Sequence, residues 1–496
     1  MRIIYLDIDS CRPDHLGPYG YSRPTTPVID QLARTSFIAQ NCHTSDAPCL
    51  PSRAALFSGR FGINNGISCH EGPASLFRYA GRAHDHDPDR PMWMRQFQTK
   101  GWQTIGFSGF GQRHLAWWFF AGFTQNFGNQ LPGSSETADE VGDLALAWLK
   151  ANGTQDNWFM HVNFWDVHTP YAAPQRYWDR MKGLPTLAHP NADEVKWDVD
   201  NIYGPRTARD WWLHFEGCKN PRTGRWTMMP DENILDYELF LRYTDGYDAG
   251  IAYVDDKIGQ ILQQLHTLGI ADETAIIISA DHGESVGELG MYFEHGNCAE
   301  GTTHVPLIIH WPGLTKTQTV YDGLMYQLDL PPTINELLGL DVPSGWDGVS
   351  VAEAVRGGSM AGRESLVLGT GIYSFQRAVR TPQYRMIRTL HSGLYPYEPV
   401  YLFDMQTDPN QRQNLAATRP DLVQAHNHHL LEFVMRYTTG PVSVRDPFQE
   451  QLGAGLTPDI YCSRAQIEAR LHQVDRADQL ADLSRRRDIA PVVRPW

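Results

Sequence analysis

The sequence predicts an α/β protein, a large and mostly parallel sheet sandwiched by helices, with a smaller C-terminal α+β subdomain. Three observations predict it. Short β-branched and apolar runs of the kind buried in parallel sheets recur through the first part of the chain. Helix-period segments alternate with them. After about residue 360 the texture changes to short runs at 365–368, 377–380 and 384–387, which read as an antiparallel sheet.

In chain order, Arg2–Ile8 is the first strand, and Thr26-Pro27 opens a helix with Thr26 as cap and Pro27 in the first turn. Residues 91–98 read as a helix leading into a strand at Gln103–Phe107. Residues 135–149 carry Val141, Leu144, Ala145 and Trp148 on one helical face. Trp158–Phe164 is a strand, and 237–268 is a long helix with an apolar stripe from Ile251 to Leu265. Thr274–Ser279 is a parallel strand, and residues 305–309 form another. Residues 172–232, rich in Pro, Gly, Trp and charge, read as an irregular insertion of functional use. The expected organisation is a catalytic domain over 1–360, an antiparallel-sheet subdomain over 361–440 and a C-terminal extension over 441–496 that packs on the body or on a neighbouring subunit.

Composition narrows the function. Lys and Arg total 42 against 57 Asp and Glu, a net charge of −15, which argues against a phosphate-backbone binder, so no nucleic acid is expected. No apolar run is long enough to span a membrane. The N-terminus enters the first strand without a signal-peptide pattern, so the cytoplasm is the expected compartment, or the periplasm or exterior if a leader has been removed. Seven Cys, with no C-x-x-C pair, are neither a disulfide framework nor a structural zinc site. Most of them read as small buried hydrophobes.

In open parallel sheets, sites form beyond the carboxyl ends of the strands. Four such ends carry polar clusters: Asp7-Ile8-Asp9-Ser10, Asp166-Val167-His168-Thr169, Asp281-His282-Gly283-Glu284, and Ser108 followed by Arg113-His114. One Asp at a strand end is more often a cap or turn former. Four clusters together suit a divalent cation that prefers oxygen ligands.

The strongest single motif is Cys49-Leu50-Pro51-Ser52-Arg53 followed by Ala54-Ala55-Leu56-Phe57-Ser58-Gly59-Arg60. It resembles the signature of the type I, formylglycine-dependent sulfatases of the alkaline phosphatase superfamily. Further resemblances follow in the family's order. Asp9 to Gly20 is similar to its opening metal motif, Asp281-His282-Gly283 to its second, and Thr302 to Leu307 to the segment that closes the site. Arg377 to Tyr384 and Tyr401 to Leu415 resemble its C-terminal subdomain. The resemblance covers over four-fifths of the chain and implies the alkaline-phosphatase-like fold.

The same resemblance implies the chemistry. Cys49 would be oxidised to Cα-formylglycine by a formylglycine-generating or anaerobic sulfatase-maturating enzyme. The aldehyde hydrates to a geminal diol. One hydroxyl attacks sulfur in line and expels the alcohol, and the second loses its proton so that sulfate leaves. A plain Cys or Ser has no second hydroxyl. Asp9, Cys49, Asp281 and His282 would hold one metal, Ca²⁺ first and Mg²⁺ or Mn²⁺ as alternatives. Many relatives have two adjacent Asp where this chain has Asp9-Ser10, and Asp7 is either a substitute ligand or a supporting acceptor. Arg53, one helical turn after Cys49, would grip the hydrated aldehyde and a sulfate oxygen. His114, beside Arg113, is the expected base for the second hydroxyl, and His168 the acid for the leaving alcohol. His295 stands where many sulfatases place a sulfate-binding Lys, and an imidazole carries charge only when protonated. Tyr171, Trp165 and the Trp-rich stretch 197–226 form a sugar-stacking rim or pack beneath the insertion.

The expected activity is hydrolysis of sulfate esters, with a sulfated small molecule or oligosaccharide as substrate and an oligomer as one form of the protein. Two alternatives stay open. One is phosphonate monoester or phosphodiester hydrolysis on the same scaffold, some members of which carry Asp-His in the second metal motif. The other is a non-catalytic binder of sulfated glycans, against which the intact Cys49 motif speaks.

Overall fold

The computed structural model describes residues 1–78, 91–133, 136–169, 171–202, 207, 236–440, 443–455, 464–473 and 477–481. Its centre is the strand Arg2–Ile8, every residue of which is buried. It pairs in parallel with Trp158–Phe164 on one side and Thr274–Ser279 on the other. All three are apolar runs flanked by helices, as a sheet covered on both faces demands. Gln103–Phe107 and Gln125–Asn126 extend the sheet in parallel beyond Trp158–Phe164. On the other side lie Leu307–His310, Phe37–Ala39 and Thr319–Tyr321, which complete eight strands.

The strand expected over 305–309 to be parallel is antiparallel: Leu307–His310 runs against Thr274–Ser279. The chain between them has no crossover helix, only the small hairpin of Ser285–Val286 and Tyr292–Glu294 and the short turns Glu288–Gly290 and Glu300–Thr303. A chain that does not cross back must return in the opposite sense.

The helices follow local signals. Ala138–Asn152 opens with a capping box, in which Thr137 accepts from the Glu140 amide and Glu140 from the Thr137 amide. Tyr237–Thr267 begins where Asp236 accepts from the Leu239 amide. It lies close to the sheet at Gly250, where a Cβ would stand 2.4 Å from Asp166 O. Thr26 does not cap the helix Pro27–Ala33. Asp255 of the long helix does so, its two oxygens each accepting at 2.9 Å from the amides of Val28 and Ile29, while the Thr26 hydroxyl donates to Asp30 Oδ1. A tertiary carboxylate has displaced the local cap. The insertion is not wholly irregular either. Gln175–Met181 and Ala192–Asn201 are helices, the second with a capping box of Asn191 and Glu194. Most of 203–235 lies outside the described residues.

The C-terminal subdomain is a sheet in the order Val400–Asp404, Tyr384–His391, Phe375–Arg380, Leu366–Gly371, covered by the helix Pro420–Thr438. A fifth strand, Asp46–Ala47, comes from the N-terminal region and pairs in parallel with Leu366–Gly371. Cys49 follows two residues later, so the second sheet fixes the start of the Cys49–Ser58 helix. The start of the extension packs on the body: Asp446 takes both Nη atoms of Arg377, and Phe448 stacks on Phe375. The segment ending in Trp496 lies outside the described residues.

A buried clamp joins the two sheets. Arg385 is fully buried and donates to Cys298 O at 2.6 and 3.0 Å, Thr303 Oγ1 at 2.7 Å and Glu300 Oε2 at 2.6 Å. Arg385→Ala is expected to lose about 3–5 kcal/mol in chemical denaturation, because it removes one of the cations paired with Glu300 and strands three acceptors, the carbonyls of Cys298 and Ala299 and the Thr303 hydroxyl. Burial works to raise the Glu300 pKa, but Arg380, His43, Arg385 and His304 outweigh it and hold it well below the usual range. The sign follows: Glu300 contributes stability above the unfolded carboxyl pKa of about 4.3, and that contribution fades as pH falls toward its folded value. Glu300→Gln should therefore show a flatter loss of melting temperature below pH 4 to 5 than the parent, and an identical acid limb would count against the clamp.

Candidate active site

Three carboxylates and one guanidinium form the floor of the site. Asp9 follows the first strand, and its amide donates to Phe164 O at 2.9 Å. Ser10 next to it takes a left-handed conformation with φ 59°. Tyr247 of the long helix holds that turn, donating to Ser10 O at 2.7 Å and accepting from the Arg12 amide at 2.8 Å. The Ser10 amide donates to Asp281 Oδ1 and its hydroxyl to Asp9 Oδ1, both at 3.2 Å. Ser10 thus bonds to two of the carboxylates, Asp9 and Asp281.

The helix Cys49–Ser58 points its N-terminus into this cluster, and all ten of its residues are buried. Cys49 is deep in the protein, not near a surface as a helix start would suggest, because both sheets and the 280–304 segment pack around it. Its Sγ lies 3.1 Å from His282 Nε2. One ligand-capable atom each from Asp9, Cys49, Asp281 and His282 lie within 4.8 Å of one another, and all four residues are buried. The 281–283 turn reaches this position because Gly283 meets the chain at Gly301, where a Cβ would stand 2.0 Å from the carbonyl oxygen.

Arg53 is buried and engages three carboxylates: Nη2 lies 2.9 Å from Asp9 Oδ2 and 3.0 Å from Asp281 Oδ2, and Nη1 donates to Asp7 Oδ2. Asp7 also accepts from His161 Nε2 at 3.0 Å. Asp7 therefore supports Arg53 and His161 from below and stands outside the four-residue group. One guanidinium does not balance three buried carboxylates. Burial, with Asp9 and Asp7, pushes the Asp281 carboxyl up to about 8 against the pull of Arg53. Burial opposes the charge on Asp9 too, but Arg53, His168, His282 and Arg113 hold its pKa well below the ordinary value.

The opposite wall is cationic and aromatic. Arg113 stacks on Trp165 at 3.9 Å and comes within 4.0 Å of Asp9 Oδ2. The Arg113–His114 pair therefore divides: Arg113 faces the carboxylates, and His114 packs on His70 with ring centroids 4.9 Å apart. His168 stacks on Trp165 at 4.0 Å, and its Nδ1 bonds Thr169 O. Burial, with His295 and Arg113, brings His168 down to about 3 against the attraction of Asp9. His295 packs between His282 and His168, at centroid distances of 4.4 and 5.1 Å. Its Nδ1 bonds Glu284, at 3.0 Å, and not the loop 293–296. Ring nitrogens of His168 and His295 and the Cys49 sulfur also lie within 4.8 Å of one another.

For the aromatic residues, the structure decides between the two readings at Tyr171. Tyr171 is fully buried against Tyr247 and Phe293, so it belongs to the core and offers no ring to a sugar. Of the Trp-rich stretch, Trp197 is exposed and carries Arg412 over its ring, and Trp211, Trp212 and Trp226 lie outside the described residues. One site residue escaped the sequence: His70, whose Nε2 accepts from the Leu50 amide at 3.4 Å. It follows no strand and belongs to no motif, so only the fold brings it beside the helix start.

An α/β fold with a buried thiol at a helix N-terminus, acids on one side and imidazoles and Arg113 on the other, defines a hydrolase of anionic esters. Comparison with known proteins gives the family. The Sulfatase family model matches residues 2–340, and the model "N-sulphoglucosamine sulphohydrolase, C-terminal" matches 287–434. The chain belongs to the sulfatase family and is a sulfuric ester hydrolase. A choline-sulfatase of Rhizobium meliloti is 26% identical over 434 residues, covering 79% of this chain and 77% of its own. A Delta 4,5-hexuronate-2-O-sulfatase of Bacteroides thetaiotaomicron is 24% identical, covering 81% and 83%. Among solved structures, the phosphonate monoester hydrolase of Agrobacterium radiobacter superposes with a TM-score of 0.68 at 21% identity, covering 90% of this chain and 99% of its own. That likeness shows the shared fold.

Asp281→Asn is expected to lower bound divalent metal, measured by elemental analysis after dialysis, together with turnover. Above pH 8, where the parent's Asp281 is ionised beside Asp7 and Asp9, the same variant freed of metal by a chelator should melt no lower than the parent, since it removes one of three mutually repelling carboxylates. Unchanged metal content would remove Asp281 from the ligand set.

Proposed function

We propose that this enzyme removes sulfate from a sulfated carbohydrate through a formylglycine made from Cys49. The observation that carries the reading is the Cys49 sulfur standing among Asp9, Asp281 and His282. Two carboxylates and an imidazole suit a hard divalent cation, Ca²⁺ first. The buried excess of negative charge and the Asp281 Oδ2, which has the Arg53 ion pair but accepts no aligned hydrogen bond among the described residues, fit such an ion. Asp9, Asp281, His282 and the modified residue 49 would hold it, and it would supply Lewis-acid polarisation of the sulfuryl oxygens.

The chain's own groups have the following parts. Arg53 orients Asp9 and Asp281 and adds positive charge beneath residue 49. His168 donates a proton to the departing alcohol oxygen, and His114 takes the proton of the second hydroxyl as sulfate leaves. His295 and Arg113 hold sulfuryl oxygens. Burial lowers both His114 and His168, so each is neutral at rest, and an anionic ester beside them favours the protonated state. Sulfatases of hexuronate and of N-acetylglucosamine among the relatives support a sugar substrate. The partner this reading needs is an enzyme that converts Cys49.

The second reading, phosphonate monoester hydrolysis, is favoured by His282 in the second metal motif. Comparison of kcat/KM for 4-nitrophenyl sulfate and 4-nitrophenyl phenylphosphonate decides between them, with the sulfate preferred by at least about tenfold under the first, roughly 1.4 kcal/mol of transition-state binding. Mass spectrometry of the Cys49 peptide from the native host should show an aldehyde in place of the thiol. Cys49→Ala should abolish turnover while melting within a few degrees of the parent, since only one sulfur is lost from the core. More than a few per cent of residual activity would sink the formylglycine mechanism.

A further inference from the structure

Glu284 lies two residues past His282, buried, at the edge of a small hairpin in which Ser285 faces Glu294. Its Oε1 is 3.0 Å from His295 Nδ1, and its Oε2 has no hydrogen-bond partner among the described residues. The frame around the pair is rigid. Arg12 Nη1 donates to Glu284 O at 2.8 Å, and Ser285 Oγ donates to Asn297 Oδ1 at 3.0 Å, which ties the two arms of the hairpin beside their ends.

A buried carboxylate whose hydrogen bonding is half unused needs a reason to be there. His295 supplies it. The χ2 torsion of an imidazole is broad and roughly two-fold, so packing alone leaves the ring free to exchange its two nitrogens. We infer that Glu284 is the positioning residue of His295: its carboxylate occupies Nδ1 and so turns Nε2 toward the Cys49 and His168 side. The bond does this whichever partner carries the shared proton. The inference rests on the proposed part of His295 in holding a sulfuryl oxygen, and it adds the residue that gives His295 its direction.

The test is a double-mutant cycle on the full-length, formylglycine-bearing enzyme with Glu284→Ala, His295→Ala and both together. It is read in kcat/KM for 4-nitrophenyl sulfate and in the Kd of inorganic sulfate by calorimetry. Glu284→Ala alone should lower kcat/KM and weaken sulfate binding by about tenfold, and Glu284→Gln, which keeps an acceptor, should recover to within about threefold. In the His295→Ala background Glu284→Ala should change either value by less than about twofold, because a residue that acts through another has nothing left to act on. Equal losses in both backgrounds, or a Gln variant no better than Ala, would overturn the inference. If Glu284→Ala does not fold, Glu284→Leu takes its place in the cycle. A parent protein without sulfatase turnover would refute the proposed function, and the sulfate-binding cycle would still decide the positioning.

Discussion

The whole site is organised by the burial of Asp7, Asp9 and Asp281 against the single guanidinium of Arg53. Such an arrangement is costly to desolvate, and it persists only if every element around it is held in place. Asp7 sits on the central strand, and Asp9 and Asp281 sit just beyond adjacent strands in register. Arg53 comes from the one helix that enters between them. Ser10 in its left-handed turn, Tyr247 beneath it and Gly283 against Gly301 each remove a freedom that would let the acids separate. The architecture converts strand order into a fixed cluster of charge.

The C-terminal subdomain is part of that constraint and more than an appended unit. Its sheet ends in Asp46–Ala47, so the register of Leu366–Gly371 also sets where the Cys49 helix begins. Arg385 reaches from the same sheet to the carbonyls of Cys298 and Ala299, and so fixes the chain that follows His295. Nucleophile and imidazole wall are thereby both referenced to the second sheet. A change in that sheet can alter the site without touching a residue that meets substrate.

The elements most visible in the sequence were those whose surroundings are uniform. Arg2–Ile8, Trp158–Phe164 and Thr274–Ser279 are buried on both faces, and a continuous apolar run is what such burial requires. The direction of Leu307–His310 was not legible, because a strand's composition does not record which end the chain enters. The cap of Pro27–Ala33 was misread for a related reason: Asp255 is more than two hundred residues away, and no local pattern announces it. At the site, Cys49, Asp281 and His282 were singled out because each lies in a short local motif that resembles a family signature, and the structure brings them together. His70 and Glu284 could not be singled out, since a lone His in a loop and an acid after a glycine are common, and only three-dimensional contact distinguishes these two.

The electrostatics of the site explain how a chain of net charge −15 can serve an anionic substrate. Net charge governs solubility and long-range steering, whereas binding depends on the field within a few ångströms. One side of this site carries more carboxylate than Arg53 can balance, which is the environment a divalent cation stabilises. The facing side carries Arg113 and the imidazoles of His70, His114, His168 and His295, packed against Trp165 and one another. Burial, with His295, Arg113 and His168, brings His70 down to about 3, and burial also lowers His114 and His168, so these three imidazoles are neutral at rest beside the Arg113 cation. An anionic ester bound between the two sides would favour the charged form of those three imidazoles.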